Sequence, residues 1–449
     1  MTTVHDDGAV SWQDRHGYCH DERRPTPVVR RTGAQTRVAG PLERAWEDAG
    51  DRELMAQTAL SGPNPSFSDL DEDTDTCLWT WVVQAPRARS VLLWVNPVFD
   101  HEAVEDAELT RLAGSGLWTI SLRLRTTLRA AYRMAVWEDD APPPWRTAEG
   151  RREVITAARD AGTADPRAVE NTQGPGDRPV SIAHGPKAPH EIWTRTTARQ
   201  PRDEDSPHDE PPNDEAPPSS HPDHLSGPDH QPRLDHLSLG RGAEAWVHAP
   251  VHQDRPTPLV VVFDGRRWKE MGLPRLLDRA IGVGALPPVH LALLDVGDPQ
   301  DRMEQLGIPG GQVDVLLDEL LPRVRTQWNV LHDANDTIVA GQSLGGIAAL
   351  WTLALGEGSV GHAIAQSPSL WRFDVAEPLL TAPDWSSIHL QAGTYEGHMI
   401  DTTRSLERAL NADHRLGGRT VRRSEFTGGH DWAAWRAELV TAVARILHT

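Results

Sequence analysis

Gly341-Gln342-Ser343-Leu344-Gly345 spells G-x-S-x-G, a pentapeptide whose spacing serves nucleophilic catalysis when a strand enters it and a helix leaves it. Here DTIVA (336–340) runs in and the apolar GIAALW (346–351) runs out. The chain must then reverse within one residue. That reversal lifts the Ser343 hydroxyl above the strand ends, and the small neighbours relieve the crowding. A helix that begins at the serine offers free N–H groups and a positive dipole end to an oxyanion beside it. A structural Gly-rich turn is the plain alternative, and it does not account for the strand–turn–helix setting. Ser343 is therefore the candidate nucleophile for acyl transfer.

A serine hydroxyl is a poor nucleophile without a base, and hydrolases of this order place the acid and then the histidine after the serine. His362, His389, His398, His414, His430 and His448 follow Ser343. His430, in FTGGHDWAAW, lies between the last expected strand and the last expected helix, and two glycines before it allow close backbone approach. His362 and His389 fall inside expected strands and read as core. The acid should follow the penultimate strand. SIHLQAG ends at Gly393, which favours Glu396 and leaves Asp401 as an alternative with a competing duty as a helix N-cap. Asp374 and Asp384 come one connection too early, and Asp431 reads as an N-cap. For the oxyanion, one donor should be the N–H of Leu344. The second should come from the turn after VVVFDG, at Gly265 or Arg266, although an ordinary turn also explains Asp264-Gly265.

These residues need a frame, and the sequence supplies one. From 237 to 449 the pattern alternates strand and helix. AEAWVHAP, PLVVVFDG, VHLALLDV, DTIVAG, VGHAIAQS, SIHLQAG and RTVRRSEF read as strands, several of them apolar enough to be buried on both faces. Val313, Leu316, Leu317, Leu320, Leu321 and Val324 share one face of an amphipathic helix. The expectation is an α/β hydrolase fold, a parallel-dominated sheet wound with helices. Residues 75–199 differ: TCLWTWVVQA, SVLLWVNPVF, LWTISLRLR and AAYRMAVWE are short runs rich in β-branched and aromatic residues, which predicts a small N-terminal β-sandwich. REVITAARDAG adds a short helix. Residues 1–74 read as a polar arm with one helix near 41–59. Residues 200–236 hold nine Pro and ten acidic residues among few apolar ones, too little to offset ordering entropy, and read as a disordered linker. Its five His match no defined metal spacing.

Composition removes several function classes. The net charge of −20 argues against general nucleic-acid binding. No apolar run is long enough to span a bilayer, and the first residues lack the apolar core of a secretory signal. Cys19 and Cys77 cannot build a disulfide framework or a four-thiolate zinc site, which points to the reducing cytoplasm. We expect no metal site, no cofactor, no membrane partner, and a monomer or weak homo-oligomer.

The chain also resembles the enterochelin (ferric enterobactin) esterase family. In the second half the resemblance is carried by FDGRRW (263–268), LPPVHLALLDVGDPQDRMEQL (286–306), AGQSLGGIAAL (340–350), AQSPSLWR (365–372), LQAGTYE (390–396) and GGHDWAAWR (428–436). In the first half it is carried by VLLWVNPVFD (91–100), ELTRLAGSGLWTISLRLRTTLRAAYRM (108–134) and DPRAVE (165–170). The chain departs from the family's pattern at GIPGGQVD, at TYEGHMID and in the 200–236 insertion. The resemblance implies Ser343 as nucleophile, His430 as base and Glu396 at the position of the family's acid. It implies cleavage of the ester or lactone bonds of a catecholate siderophore such as enterobactin, with iron present only as part of the substrate. An anionic catecholate calls for permanent cations and flat aromatic partners. Arg266, Arg267 and Arg302 are the expected cations, and Trp268, Trp371 and Trp435 the expected stacking surfaces. A carbohydrate-ester hydrolase or acyltransferase on the same fold is the alternative, and a binding protein with an idle triad is a third reading.

Overall fold

Runs in which every second residue is apolar and large build the first unit, because such runs can bury one pleated face. The structure, a computed structural model, describes residues 2–4, 10–21, 36–69, 75–174, 178–194, 232–251 and 254–448. The unit's strands are β1 (Thr36–Val38), β2 (Ser66–Ser68), β3 (Thr76–Gln84), β4 (Ser90–Val95), β5 (Leu117–Arg125), β6 (Arg129–Trp137), β7 (Glu170–Gln173) and β8 (Pro179–His184). They form two antiparallel sheets, β1-β5-β3-β2 and β7-β8-β6-β4, with the short Thr110–Arg111 strand paired to β5. Cys77, Trp79 and Trp81 on β3, Ile120, Leu122 and Leu124 on β5, and Ala130, Tyr132 and Met134 on β6 meet in one buried cluster.

Two sequence expectations change here. Residues 36–68 are part of this unit rather than of a polar arm, since β1 and β2 are strands of its larger sheet. The single helix expected near 41–59 is two helices, Pro41–Trp46 and Arg52–Ser61. The Asp51 carboxylate accepts from the Leu54 N–H at 3.0 Å and caps the second, which is why the chain restarts there. The first helix sets Trp46 against Val82, Leu112 and Leu117. Before this unit, Tyr18 packs edge-on against Trp351 of the second unit, ring centroids 4.7 Å apart.

The second unit is one eight-stranded sheet: β9 (Asp235–Ser238), β10 (Glu244–His248), β11 (Leu259–Phe263), β12 (His290–Asp295), β13 (Thr337–Gln342), β14 (His362–Gln366), β15 (Ser387–Gly393) and β16 (Thr420–Phe426), in the order β9-β10-β12-β11-β13-β14-β15-β16. β9 and β10 are antiparallel to their neighbours, and all pairs from β12 to β16 are parallel. The central strand β11 alternates Val261 and Phe263 into one core with Val260 and Val262 into the other, so helices must cover both faces. The helices that matter for the site are α1 (Gly265–Glu270), α2 (Leu273–Gly282), α3 (Leu344–Leu355), α4 (His398–Ala412) and α5 (Trp432–Leu447). The expected amphipathic helix forms as Gln312–Val315 and Leu321–Gln327, with a π turn at Leu316–Leu320 between them.

Of the expected linker, 200–231 lies outside the described residues. Its last two residues are corrected: Asp235 and His236 belong to β9. DHLS carries no apolar alternation because β9 is a half-exposed edge strand, and a polar edge resists further pairing.

The two units are joined by buried charge. Arg436 on α5, 2% exposed, donates to Glu170 at 2.7 Å and Glu191 at 2.9 Å across the junction. His184 pairs with Glu170 at 3.0 Å. Glu170, His184 and Glu191 thus converge as three ligand-type residues, with the Arg436 guanidinium already neutralising the carboxylates. Removing one partner of a buried pair strands the other charge, at a cost of about 3–5 kcal/mol. Arg436→Met is therefore expected to lower Tm by about 5–10 °C in a thermal melt, and an unchanged Tm would remove this ion pair from the account of how the units are held.

Candidate active site

Four adjacent parallel strands end on one edge of the sheet, and each delivers one part of the site. β13 ends at Ser343, which takes φ 59° and ψ −117° before α3 begins. Only small neighbours fit that reversal. A Cβ on Gly341 would lie 2.2 Å from the Gly345 carbonyl oxygen, and one on Gly345 would lie 3.1 Å from Phe263 Cβ. The turn is pinned to the end of β14: the Ser343 N–H donates to the Gln366 carbonyl at 2.9 Å, and the Ser369 N–H donates to the Ser343 carbonyl at 2.9 Å.

β15 delivers Glu396, 2% exposed. Its Oε1 accepts from the Ser367 hydroxyl at 2.6 Å and from the Gly393 N–H at 3.0 Å. Its Oε2 lies 3.2 Å from Nδ1 of His430, in the loop after β16. A carboxylate with these donors orients the imidazole by accepting its Nδ1–H, which leaves Nε2 to act as the base. The His430 ring stands edge-on against Trp435 at 4.5 Å, and Trp435 Nε1 donates to Ser367 Oγ at 2.9 Å. Among the described residues the Ser343 hydroxyl is hydrogen-bonded only to Ser369, at 3.4 Å. Catalytic contacts of this kind commonly tighten only with substrate present.

Sequence and structure agree on where Ser343, Glu396 and His430 sit. Asp401 is on α4, its carboxylate 70% exposed and 3.5 Å from Arg404, whereas the carboxylate on the imidazole is that of Glu396. Asp431 does cap α5, its Oδ1 accepting from the Ala433 N–H at 3.1 Å. It is wholly buried, and burial pushes its carboxyl up to about 6. His389 is core as expected, and burial takes it down to about 4.

The expected oxyanion donors divide. Leu344 and Gly265 each open a helix, so neither N–H has an intrahelical carbonyl to bond. Arg266 is corrected: its N–H donates to Asp295 Oδ2 at 3.0 Å and is already engaged.

The expected cationic, aromatic mouth is corrected as well. Arg302 makes a bidentate pair with Asp264, at 2.5 and 2.7 Å. Asp264 also accepts from Gln342 Nε2 at 2.6 Å, and Gln342 Oε1 accepts from Trp268 Nε1 at 3.0 Å. This network lies beneath the serine turn and fixes β11 to β13. Arg266 is tied to Glu244 at 2.7 Å, and Arg267 to Glu270 at 2.6 Å and the Gly174 carbonyl at 2.8 Å. Trp268 is fully buried and Trp435 is 2% exposed, so neither offers a face to a ligand. Trp371 packs partly buried against the core. Sequence reasoning did not single out Ser367 and Ser369. Both lie in AQSPSLWR directly after β14, and that position at the ligand-facing strand ends was the available signal.

The eight-stranded sheet with a serine at its strand–turn–helix reversal defines a hydrolase of the α/β type. Residues 76–194 match the family model for the N-terminal part of enterochelin esterase, and residues 238–446 match the Esterase family model. The two matches together cover most of the chain, which belongs to the enterochelin esterase family. An iron(III) salmochelin esterase of Escherichia coli O6:H1 is 27% identical over 442 residues, 89% of this chain and 92% of that protein. An iron(III) enterobactin esterase of Dickeya dadantii is 26% identical over 384 residues, 78% of this chain and 82% of that protein. Among solved structures, the enterobactin esterase of Shigella flexneri in the presence of enterobactin has a TM-score of 0.66 at 22% identity, covering 87% of this chain and 97% of that one, a likeness of fold.

The Glu396 geometry generates a test. Glu396→Gln keeps the shape and removes the charge facing the imidazolium, so kcat should fall by about 10²-fold or more. Asp401→Asn should stay within about twofold of the parent, and steady-state kinetics on a neutral aryl ester will read both.

Proposed function

We propose that this protein is a cytoplasmic serine esterase that cleaves the ester bonds of a catecholate siderophore of the enterobactin type, taken as its ferric complex. One observation carries the reading. The chain keeps both units of siderophore esterases, matched in order and at nearly the full length of relatives named for iron(III) enterobactin and salmochelin. The Ser343, Glu396 and His430 arrangement supplies matching chemistry. Among the described residues no helix is long and apolar enough to cross a membrane.

In this reading Ser343 Oγ attacks the ester carbonyl while His430 Nε2 takes its proton, and Glu396 steadies the imidazolium. The tetrahedral oxyanion is held by the N–H groups of Leu344 and Gly265. Collapse breaks the ester C–O bond, and His430 returns the proton to the departing seryl hydroxyl. Water, deprotonated by His430, then attacks the acyl-enzyme and releases the acid and free Ser343. Linearised fragments hold iron more weakly because their catechols lose effective concentration for one another. The iron is substrate, and the protein's own residues carry every proton transfer. The first unit is a small β-sandwich that walls one side of the site.

Purified protein incubated with ferric and with iron-free enterobactin should yield linear and monomeric dihydroxybenzoyl-serine products by mass spectrometry. Ser343→Ala should yield none, and a fluorophosphonate should label Ser343 alone. Rapid turnover of a simple acetyl ester with both siderophores left intact would reduce the protein to a general esterase.

A further inference from the structure

The first unit touches the loop that carries the base at Thr427, Gly429, His430 and Asp431. Thr127 Oγ1 donates to Thr427 Oγ1 at 2.9 Å, and the Arg129 N–H donates to the Thr427 carbonyl at 3.1 Å. At Gly429 a Cβ would lie 2.7 Å from Pro97 Cβ, so the loop passes directly against that proline. Asn96 Nδ2 donates to the His430 carbonyl at 3.1 Å, and the Ala131 N–H donates to Asp431 Oδ2 at 2.6 Å. These last two contacts form one unit, because the Asn96 N–H also donates to the Ala131 carbonyl at 3.0 Å. Asp431 reaches both ways: Oδ2 binds the first unit, and Oδ1 caps α5.

The second unit holds the same loop at Gly428 and at Asp431, whose carbonyl accepts from the Ala434 and Trp435 N–H groups at 3.2 and 3.0 Å. The Tyr395 N–H donates to the Gly428 carbonyl at 3.0 Å, and the imidazole touches Glu396 and Trp435. The His430 side chain is 44% exposed, so packing around the ring does not fix it. Its ring is oriented by Glu396, and the first unit holds its loop at the Thr427 carbonyl, the His430 carbonyl and the Asp431 side chain. A displacement near 1 Å at a catalytic group can cost about 10²-fold in rate.

We infer that Asn96 and Asp431 are positioning residues that hold the His430 base in register with Ser343, which makes the first unit part of the catalytic apparatus as well as a wall for substrate. The inference rests on His430 being the base, and it differs from a substrate-binding role in what it does to a small substrate. A neutral aryl acetate is too small to depend on siderophore contacts, yet its turnover still needs the base in place.

The test uses the full chain with 4-nitrophenyl acetate. Asn96→Ala, a partly exposed site whose loss removes the grip on the His430 carbonyl together with a side-chain contact to Asp431, should lower kcat by about tenfold and leave KM within about twofold. Asp431→Asn, which gives up one of two acceptors, should do the same. Fluorophosphonate labelling of Ser343 should slow by the same factor in both. Glu170→Gln, which loosens the Arg436 ion pair about one and a half turns further along α5, should leave kcat and the labelling rate at parent values. Parent kcat and labelling in Asn96→Ala, measured beside an inactive His430→Ala, overturns the inference and leaves the functional reading standing. An equal loss of kcat in Glu170→Gln overturns it too, by assigning the effect to general docking of the units. A fully active His430→Ala overturns the functional reading and this inference together.

Discussion

The reversal of the chain at Ser343 is the constraint on which the second unit depends. A non-glycine residue held at φ 59° is strained, and it persists only where its surroundings over-determine it. Those surroundings are visible here. Gly341 and Gly345 leave room, the Gln366 carbonyl holds the serine N–H, and the Ser369 N–H holds the serine carbonyl. The strain has a chemical use, because it aims the hydroxyl out of the sheet and starts α3 with unbonded N–H groups beside it.

Beneath that turn lies a polar network in which Asp264, Gln342 and Trp268 are buried and Arg302 is partly exposed. Burial opposes the charge on Arg302, and the Asp264 carboxylate more than restores it. Asp264, Arg302, Gln342 and Trp268 satisfy one another across β11, β13 and the segment after β12. A buried network of this kind is costly unless each member is paired, and once paired it specifies a single arrangement. Two residues that look like ligand contacts in the sequence, Arg302 and Trp268, thus belong to the network under the turn. Permanent cations near strand ends are as useful for holding a turn in place as for holding a substrate.

The junction of the two units follows the same logic at larger scale. The acid and the nucleophile stand on one sheet, whereas the base stands on a loop shared with the other. Arg436 with Glu170 and Glu191, and Asp431 with Ala131, place charged or polar groups at a junction where Arg436, Glu191 and Asp431 are buried. Fixed charges in such surroundings are directional, so they set a relative position more sharply than apolar contact does.

The sequence by itself determined the order and character of the elements and the place of the chemistry. Apolar runs such as LVVVF fit strands buried on both faces, and a serine between a buried strand and an apolar helix lies at a strand end. Glu396 and His430 were legible for the same local reason, as residues a few positions past successive strand ends. Tertiary structure decided what each side chain does once it arrives there. That Arg302 faces Asp264, that Trp268 donates to Gln342, that Ser367 bridges Glu396 and Trp435, and that Asp431 meets Ala131 are contacts between residues from 29 to 300 positions apart. The edge strand β9 was hidden too, because its polar pattern matches that of a solvated segment. Periodicity records which face of an element is buried, and it holds no record of which distant partner lies against that face.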